Sequence, residues 1–178
     1  LAAISSTVTA ADLTWTGATS GIWDTSTANW SGASTVFTGG DNAVFSGTPT
    51  NNVTAASGLT IGSINLQSGF TGSVTLTGAN TVNGTTTVSA GTLNVGATGS
   101  LGSRAITLGG GTLQNSGGAD VTIANSISVG SGGGSIKLGV AKNLNLTGTL
   151  SGSGNLTLGG SGPLSSINMS FSSNTLTW

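Results

Sequence analysis

Few side chains in this sequence could perform chemistry. Its 178 residues include four acidic and three basic groups, with no histidine and no cysteine. The charged residues are Asp12, Asp24, Asp41, Asp120, Arg104, Lys137 and Lys142. Without histidine, the chain lacks the side chain that most often serves as a general base or a metal ligand. Without cysteine, it has neither a disulfide framework nor a thiolate zinc site.

The spacing of the aspartates argues against a catalytic or calcium-binding cluster. Only Asp120 lies inside the repetitive part of the sequence, and the repeated aspartates of calcium-binding glycine turns are missing around it. We therefore interpret Asp120 as a turn residue, and the basic residues as solvated charges at turns or edges. We expect no catalytic residue, no metal and no cofactor, and hence no enzyme. A polysaccharide lyase or hydrolase is the third and weakest alternative.

The charge balance also restricts the partners. Three basic residues and a net charge of -1 cannot neutralise a nucleic-acid backbone, so nucleic acid is not an expected partner. No run approaches the roughly 18 to 20 apolar residues of a membrane helix, so no transmembrane segment is expected. With 35% hydrophobic residues and a mean hydropathy of +0.26, the chain differs from disordered sequences and is expected to fold.

Residues 12–47 carry most of the aromatic side chains. These recur every seven or eight residues, with glycine, asparagine, aspartate and serine between them: Trp15, Trp23, Trp30, Phe37 and Phe45. The spacing predicts short strands that each contribute one large side chain to a common cluster, an aromatic cap at the start of the domain. The alternative is an exposed aromatic platform on which sugars stack.

Residues 50–160 repeat one pattern. Phrases such as "GSVTLTGAN" and "VTIANSISVG" alternate Val, Ile or Leu with Thr, Ser or Asn and have glycine at or near their end, which predicts strands with one buried face. The phrases "GTLNVG" at 91–96, "GTLQN" at 111–115, "GTLSG" at 148–152 and "GNLTLGG" at 154–160 are near copies. Near copies favour a solenoid of stacked coils over a sandwich, with an apolar core and Thr, Ser and Asn ladders outside.

A family resemblance agrees with this interpretation. The segments "LTWTGATSGIWDTSTANWSG", "GDNAVFSG" and "LTGANTVNGTTTVSAGTLNVGATGSLGSRAITLGGGTLQN" closely resemble the autotransporter-associated β-strand repeat of bacterial surface and secreted passenger proteins. The resemblance covers about residues 13–160. It implies an all-β, right-handed parallel β-helix, or β-solenoid, that is exported to the cell surface and has no enzyme activity.

We divide the chain into three parts. Residues 1–11 are expected to form a strand or docking segment, because Ile4, Val8 and Ala10 share one face of a strand; a leader or linker remnant is the alternative. Residues 12–163 form the β-solenoid domain, which begins with the aromatic-rich stretch 12–47. Residues 164–178 abandon the glycine rhythm and are expected to be strands that cap the solenoid or dock on another copy.

The open ends of a solenoid suggest a function. Unpaired edge groups recruit other strands unless lysine, proline, bulges or caps block them, and this chain has few charges and two prolines. We therefore expect a secreted or cell-surface structural protein that self-assembles head-to-tail, by strand addition, into an extracellular filament or surface layer. The residues expected at the subunit contact are Ile4, Val8, Ile167, Met169, Phe171, Leu176 and Trp178. The alternative is a monomeric stalk or adhesin that binds carbohydrate through its Thr, Ser and Asn faces or exposed tryptophans.

Overall fold

A computed structural model of the chain describes residues 10–138, 142–160 and 167–169, which contain 20 strands and no helix. We number the strands in chain order and group them into three walls. Wall A consists of β1 Asp12–Trp15, β3 Trp30–Gly32, β4 Asn42–Phe45, β7 Ile64–Leu66, β10 Thr86–Val88, β12 Ile106–Leu108, β15 Ile127–Val129 and β18 Leu150–Gly152. Wall B consists of β2 Ile22–Trp23, β5 Val53–Ala55, β8 Ser73–Leu76, β11 Thr92–Val95, β13 Thr112–Asn115, β16 Gly134–Leu138 and β19 Leu156–Gly160. Wall C consists of β6 Thr60–Ile61 and β9 Thr81–Val82, then β14 Val121–Ile123, β17 Leu144–Leu146 and β20 Ile167–Met169.

From β4 onward the chain winds through the walls in a fixed order, A to B to C, and its strands pair in parallel with the equivalent strands of the next coil, except where wall C is interrupted after β9. The result is a parallel β-solenoid of about five turns, which confirms the fold class predicted from the alternation and the near copies. Paired residues give the length of a coil. Val74 pairs with Leu93, 19 residues on, and Leu113 pairs with Ile136, 23 residues on, so the turns absorb small differences in length.

The core is built from stacked rows of inward-facing side chains. On wall A, Ile64, Thr86, Ile106 and Ile127 occupy one row and are all almost completely buried. The next residue along each strand, such as Asn65 after Ile64 and Thr87 after Thr86, faces outward. Each fully buried Ile or Leu contributes about 1.5–3 kcal/mol from loss of contact with water. The period-two pattern therefore sets the core directly.

Wall C is interrupted in one coil. Residues 97–104 form turns in place of a strand, and side chains replace the missing ladder: Ser100 Oγ donates to Gly78 O (3.0 Å), and Thr98 Oγ1 accepts from Thr122 N (3.0 Å). Gly102 is required here, because its φ of 59° is left-handed and a Cβ on it would collide with the carbonyl of Val82. Backbone groups of the coils on both sides of the interruption, Gly78 O and Thr122 N, thus find side-chain partners in the turn.

The aromatic residues close the first coil. Trp15, Trp23 and Trp30 are at most 5% exposed, and Phe37 and Phe45 at most 1%, which confirms the predicted cluster near the N-terminal region and rules out these side chains as an exposed platform. The Trp15 and Trp30 rings meet edge to face, with centroids 5.0 Å apart and planes at 86°. The buried indole nitrogens of Trp15, Trp23 and Trp30 have no hydrogen-bond acceptor.

Candidate functional site: the two ends of the solenoid

The four aspartates are used to join coils or close turns. Asp12 Oδ1 accepts from Asn42 Nδ2 (2.8 Å), and Asp41 Oδ1 accepts from Ala11 N (2.9 Å). Asp24 Oδ1 accepts from the backbone of its own turn. Within the described residues, no three acidic, histidine or cysteine side chains come close enough together to hold a metal ion.

The pKa shifts of the aspartates have the same structural origin. The backbone N–H of Ser26 lowers the pKa of Asp24, with smaller help from Thr27, against the opposing effect of desolvation. The backbone and side-chain N–H groups of Asn143 lower the pKa of Asp120. A lowered pKa means that the charged carboxylate, which accepts these hydrogen bonds, is the favoured form in both places. Asp24 accepts within its own turn, and Asp120 accepts from the next coil.

Neither of the two surface depressions is lined by both an acidic and a basic side chain, and Lys142 lies near enough to Asp120 to help lower the pKa of that carboxylate. Arg104 is exposed and donates from Nε to Asn83 O (3.1 Å), and Lys137 is exposed on the outer face of β16. One shallow depression is lined only by uncharged residues of 48–52 together with Thr71 and Gly72. A second includes Lys137 beside β19 and no acidic residue.

The N-terminal edge of wall B is closed, and wall A ends there in a strand of reversed direction. On wall A, β3 runs antiparallel to β1, the opposite of the parallel pairing elsewhere in that wall, and Trp30 N donates to Thr35 O (3.1 Å) in the turn that follows. On wall B, the outward groups of Ile22 are both bonded: its N–H donates to Ser20 Oγ (3.1 Å), and its carbonyl accepts from Asn29 Nδ2 (2.8 Å). Strand addition at this end would have to break these bonds.

Asn29 is the centre of that closure. It is completely buried, and its Oδ1 accepts from the backbone N–H groups of Thr19 (2.8 Å) and Ser20 (2.9 Å) while its Nδ2 donates to Ser20 Oγ and Ile22 O. The amide thereby satisfies polar groups that no strand covers. Sequence reasoning missed this residue, since nothing in the local pattern separates it from the other asparagines.

No described strand covers the C-terminal edge of wall B, which is therefore called the open edge. Strand β19 pairs with β16 on one side and with no other described strand. Gly134 N donates to Asn155 O (3.0 Å), so by alternation Leu156, Leu158 and Gly160 direct their N–H and C=O groups away from β16. Leu158 stacks on Ile136, which is fully buried, but is itself 38% exposed. The last strand of the wall thus presents both backbone groups and apolar surface.

The predicted subunit contacts fall mostly outside the described residues. Ile4, Val8, Phe171, Leu176 and Trp178 lie there, and their role stays a prediction. Ile167 and Met169 belong to β20, which pairs in parallel with β17 of the same chain, in register with Leu144 and Leu146. Strand β20 therefore continues wall C by one further coil.

No family model matches the chain, and no curated protein or solved structure is detectably similar to it. The parallel β-solenoid is consistent with a β-helix repeat protein, as the resemblance to the autotransporter repeat implies, but no family match supports the autotransporter assignment itself. None of the described elements is a helix that could cross a membrane.

Proposed function

We propose that the chain is a structural subunit that self-associates through the ends of its solenoid into a filament or surface layer. The observation that carries the proposal is the difference between the two ends of wall B: the N-terminal edge is closed by hydrogen bonds to Ile22, whereas no described strand covers β19, which has a partly exposed leucine. An open edge and a different complementary surface on each copy give a heterologous contact, and such contacts propagate.

The composition of the open edge supports the proposal. Strand β19 reads "LTLGG", without a charge, a proline or a bulge, and these are the features with which natural proteins block edges. Each backbone hydrogen bond made by an added strand contributes about 0.5–1.5 kcal/mol, and burial of Leu158 adds to this. Because the N-terminal edge of wall B is closed, we expect the element that joins β19 to be an added strand and not the first coil of the next copy.

The proposal includes the location of the protein outside the cell. The resemblance to passenger repeats supports secretion or display on a bacterial cell surface. The lack of cysteine is compatible with that location, and the low net charge provides little repulsion between copies there.

Negative-stain electron microscopy across a concentration series tests the proposal. Filaments or sheets with a fixed repeat, growing with concentration, are the expected result. Light scattering coupled to size exclusion measures the same equilibrium in solution. Single rods at every concentration would contradict self-association.

A monomeric adhesin or stalk that binds carbohydrate is the second candidate. It is favoured by the outer face of wall A, where Asn65, Thr87, Thr107 and Ser128 form one polar row in register. The buried tryptophans of the cap cannot supply the aromatic stacking first considered for this role. Binding on a carbohydrate array by a chain that stays monomeric would favour this function over assembly.

A further inference from the structure

We propose that the open edge of β19 accepts residues 1–9 of a second copy as an added strand. The inference rests on the self-association proposed above and assigns its two partners. It makes growth polar, because every copy offers one acceptor edge at the C-terminal end and one donor segment before β1.

The acceptor has both the backbone and the side-chain features of an unfinished sheet. The outward N–H and C=O groups belong to Leu156, Leu158 and Gly160, which are also the inward-facing row of side chains. One coil earlier, Ile136 and Leu138 occupy this row and are at most 5% exposed, whereas Leu158 is 38% exposed. A further strand would complete the hydrogen bonds and cover the leucine in one step.

The closed N-terminal edge of wall B restricts what a second copy can offer. Its first coil cannot extend wall B beyond β19 without breaking the bonds that Asn29 and Ser20 make to the outward groups of Ile22. The donor must therefore come from outside the first coil. Residues 1–9 lie just before β1, separated from it by Ala10 and Ala11, and are the nearest such segment.

The composition of residues 1–9 suits a donor strand. The segment "LAAISSTVT" has no charge, glycine or proline, and Ile4, Thr7, Val8 and Thr9 are β-branched. As an extended strand it spans roughly 30 Å, more than the five residues of β19 require. Ile4, Ser6 and Val8 share one face, with the same two-residue spacing as Leu156, Leu158 and Gly160. In that register Val8 would lie beside Gly160, where the acceptor has no side chain.

Trans disulfide formation tests this register, and the absence of cysteine from the chain removes any background. Two full-length variants, Ser6→Cys and Leu158→Cys, are mixed, with one of them isotopically heavy, and oxidised mildly. Neighbouring strands lie about 4.7–4.9 Å apart, within the range that a disulfide spans. We expect the Ser6–Leu158 cross-link to exceed, by about tenfold or more, that from Ser6→Cys mixed with Thr85→Cys, an exposed control site away from the edge.

Equal cross-linking to both acceptor sites would overturn the inference. So would a Ser6→Cys/Leu158→Cys double variant that forms only disulfides within one chain, because the segment would then dock in cis. Preferential cross-linking of Ser172→Cys to Leu158→Cys would assign the edge to the C-terminal segment instead.

A labelled peptide separates this inference from the proposed function. We expect "LAAISSTVT" to bind the full chain saturably and its Ile4→Asp version at least about tenfold more weakly. Filaments without the Ser6–Leu158 cross-link and without peptide binding would leave the proposed function standing and remove this inference. Peptide binding and the cross-link without filaments would support the strand addition and contradict assembly into a filament or surface layer.

Discussion

Both ends of wall B are parallel β-strands, but the outward backbone groups are bonded at one end and lack a covering strand at the other. At the N-terminal end, the carbonyl of Ile22 is bonded to a completely buried asparagine, Asn29. At the C-terminal end, Leu158 occupies the last inward row, 38% exposed, with no described strand beyond it. Stacking of coils alone therefore does not bond the outward backbone groups at the ends of a β-solenoid. A few side chains decide whether an edge ends the sheet or invites another strand.

The aromatic cluster is the strongest part of the closed end, and breaking it should have the largest effect on stability. Trp23 is fully buried, with ring centroids 5.3 Å from Trp30 and 5.1 Å from Phe37. Trp23→Ala should lower the free energy of unfolding by about 3–5 kcal/mol, measured by denaturant titration. Leu158→Ala, at the open end, should cost less than about 1.5 kcal/mol. Similar losses for the two variants would show that the ends do not differ in packing.

Removal of the polar closure should have the next largest effect. Asn29→Ala leaves Ile22 O and the N–H groups of Thr19 and Ser20 without their partner, at a cost of about 2–4 kcal/mol. It should also create a second open edge and speed self-association, seen as a faster rise of light scattering. The control is Asn52→Ala, whose side chain is exposed; an equal response from it would exclude a special role for Asn29.

Proline at two neighbouring positions of β19 should separate assembly from stability. Leu158→Pro removes an N–H that points away from β16, so it should block strand addition and leave the chain folded. Thr157→Pro removes an N–H that points toward β16 and should cost about 3 kcal/mol. Scattering and thermal unfolding are measured on both. Unchanged assembly in a folded Leu158→Pro chain would exclude this edge as the contact.

The regular part of this architecture was readable from the sequence because each strand repeats one inward and outward pattern. The near copies at 91–96 and 111–115 do stack, with Thr92 opposite Thr112 and Leu93 opposite Leu113. The copy at 148–152 instead forms β18 of wall A, on another side of the solenoid. Similar phrases identify strands but not walls, because strands in both walls need the same alternation.

The side chains that close edges and turns were not readable. Asn125 Nδ2 donates to the carbonyls of Leu101, Gly102 and Arg104, a contact across 21 to 24 residues that holds the turn in wall C. Its partners depend on the length of the coil, which along wall B is 32 residues between β2 and β5 and from 19 to 23 residues beyond β5. The hydrogen bonds of the Asn29 side chain likewise depend on how the chain folds back on itself, since its partners lie seven to ten residues away. Such residues are fixed by the stacking of coils, so only the three-dimensional structure separates them from ordinary polar positions.

Acid should weaken the closed end slightly, through Asp24. Hydrogen bonds from the Ser26 and Thr27 backbone lower its pKa below 3.8, so the stabilisation is present above that value and is lost as the pH falls through the folded-state pKa. Solvent screens this carboxylate, and the effect should be at most about 0.5 kcal/mol. Thermal unfolding of the parent chain and Asp24→Asn should therefore converge between about pH 5 and pH 2. A constant gap between the two curves would mean that the turn is held by packing and not by the charge of Asp24.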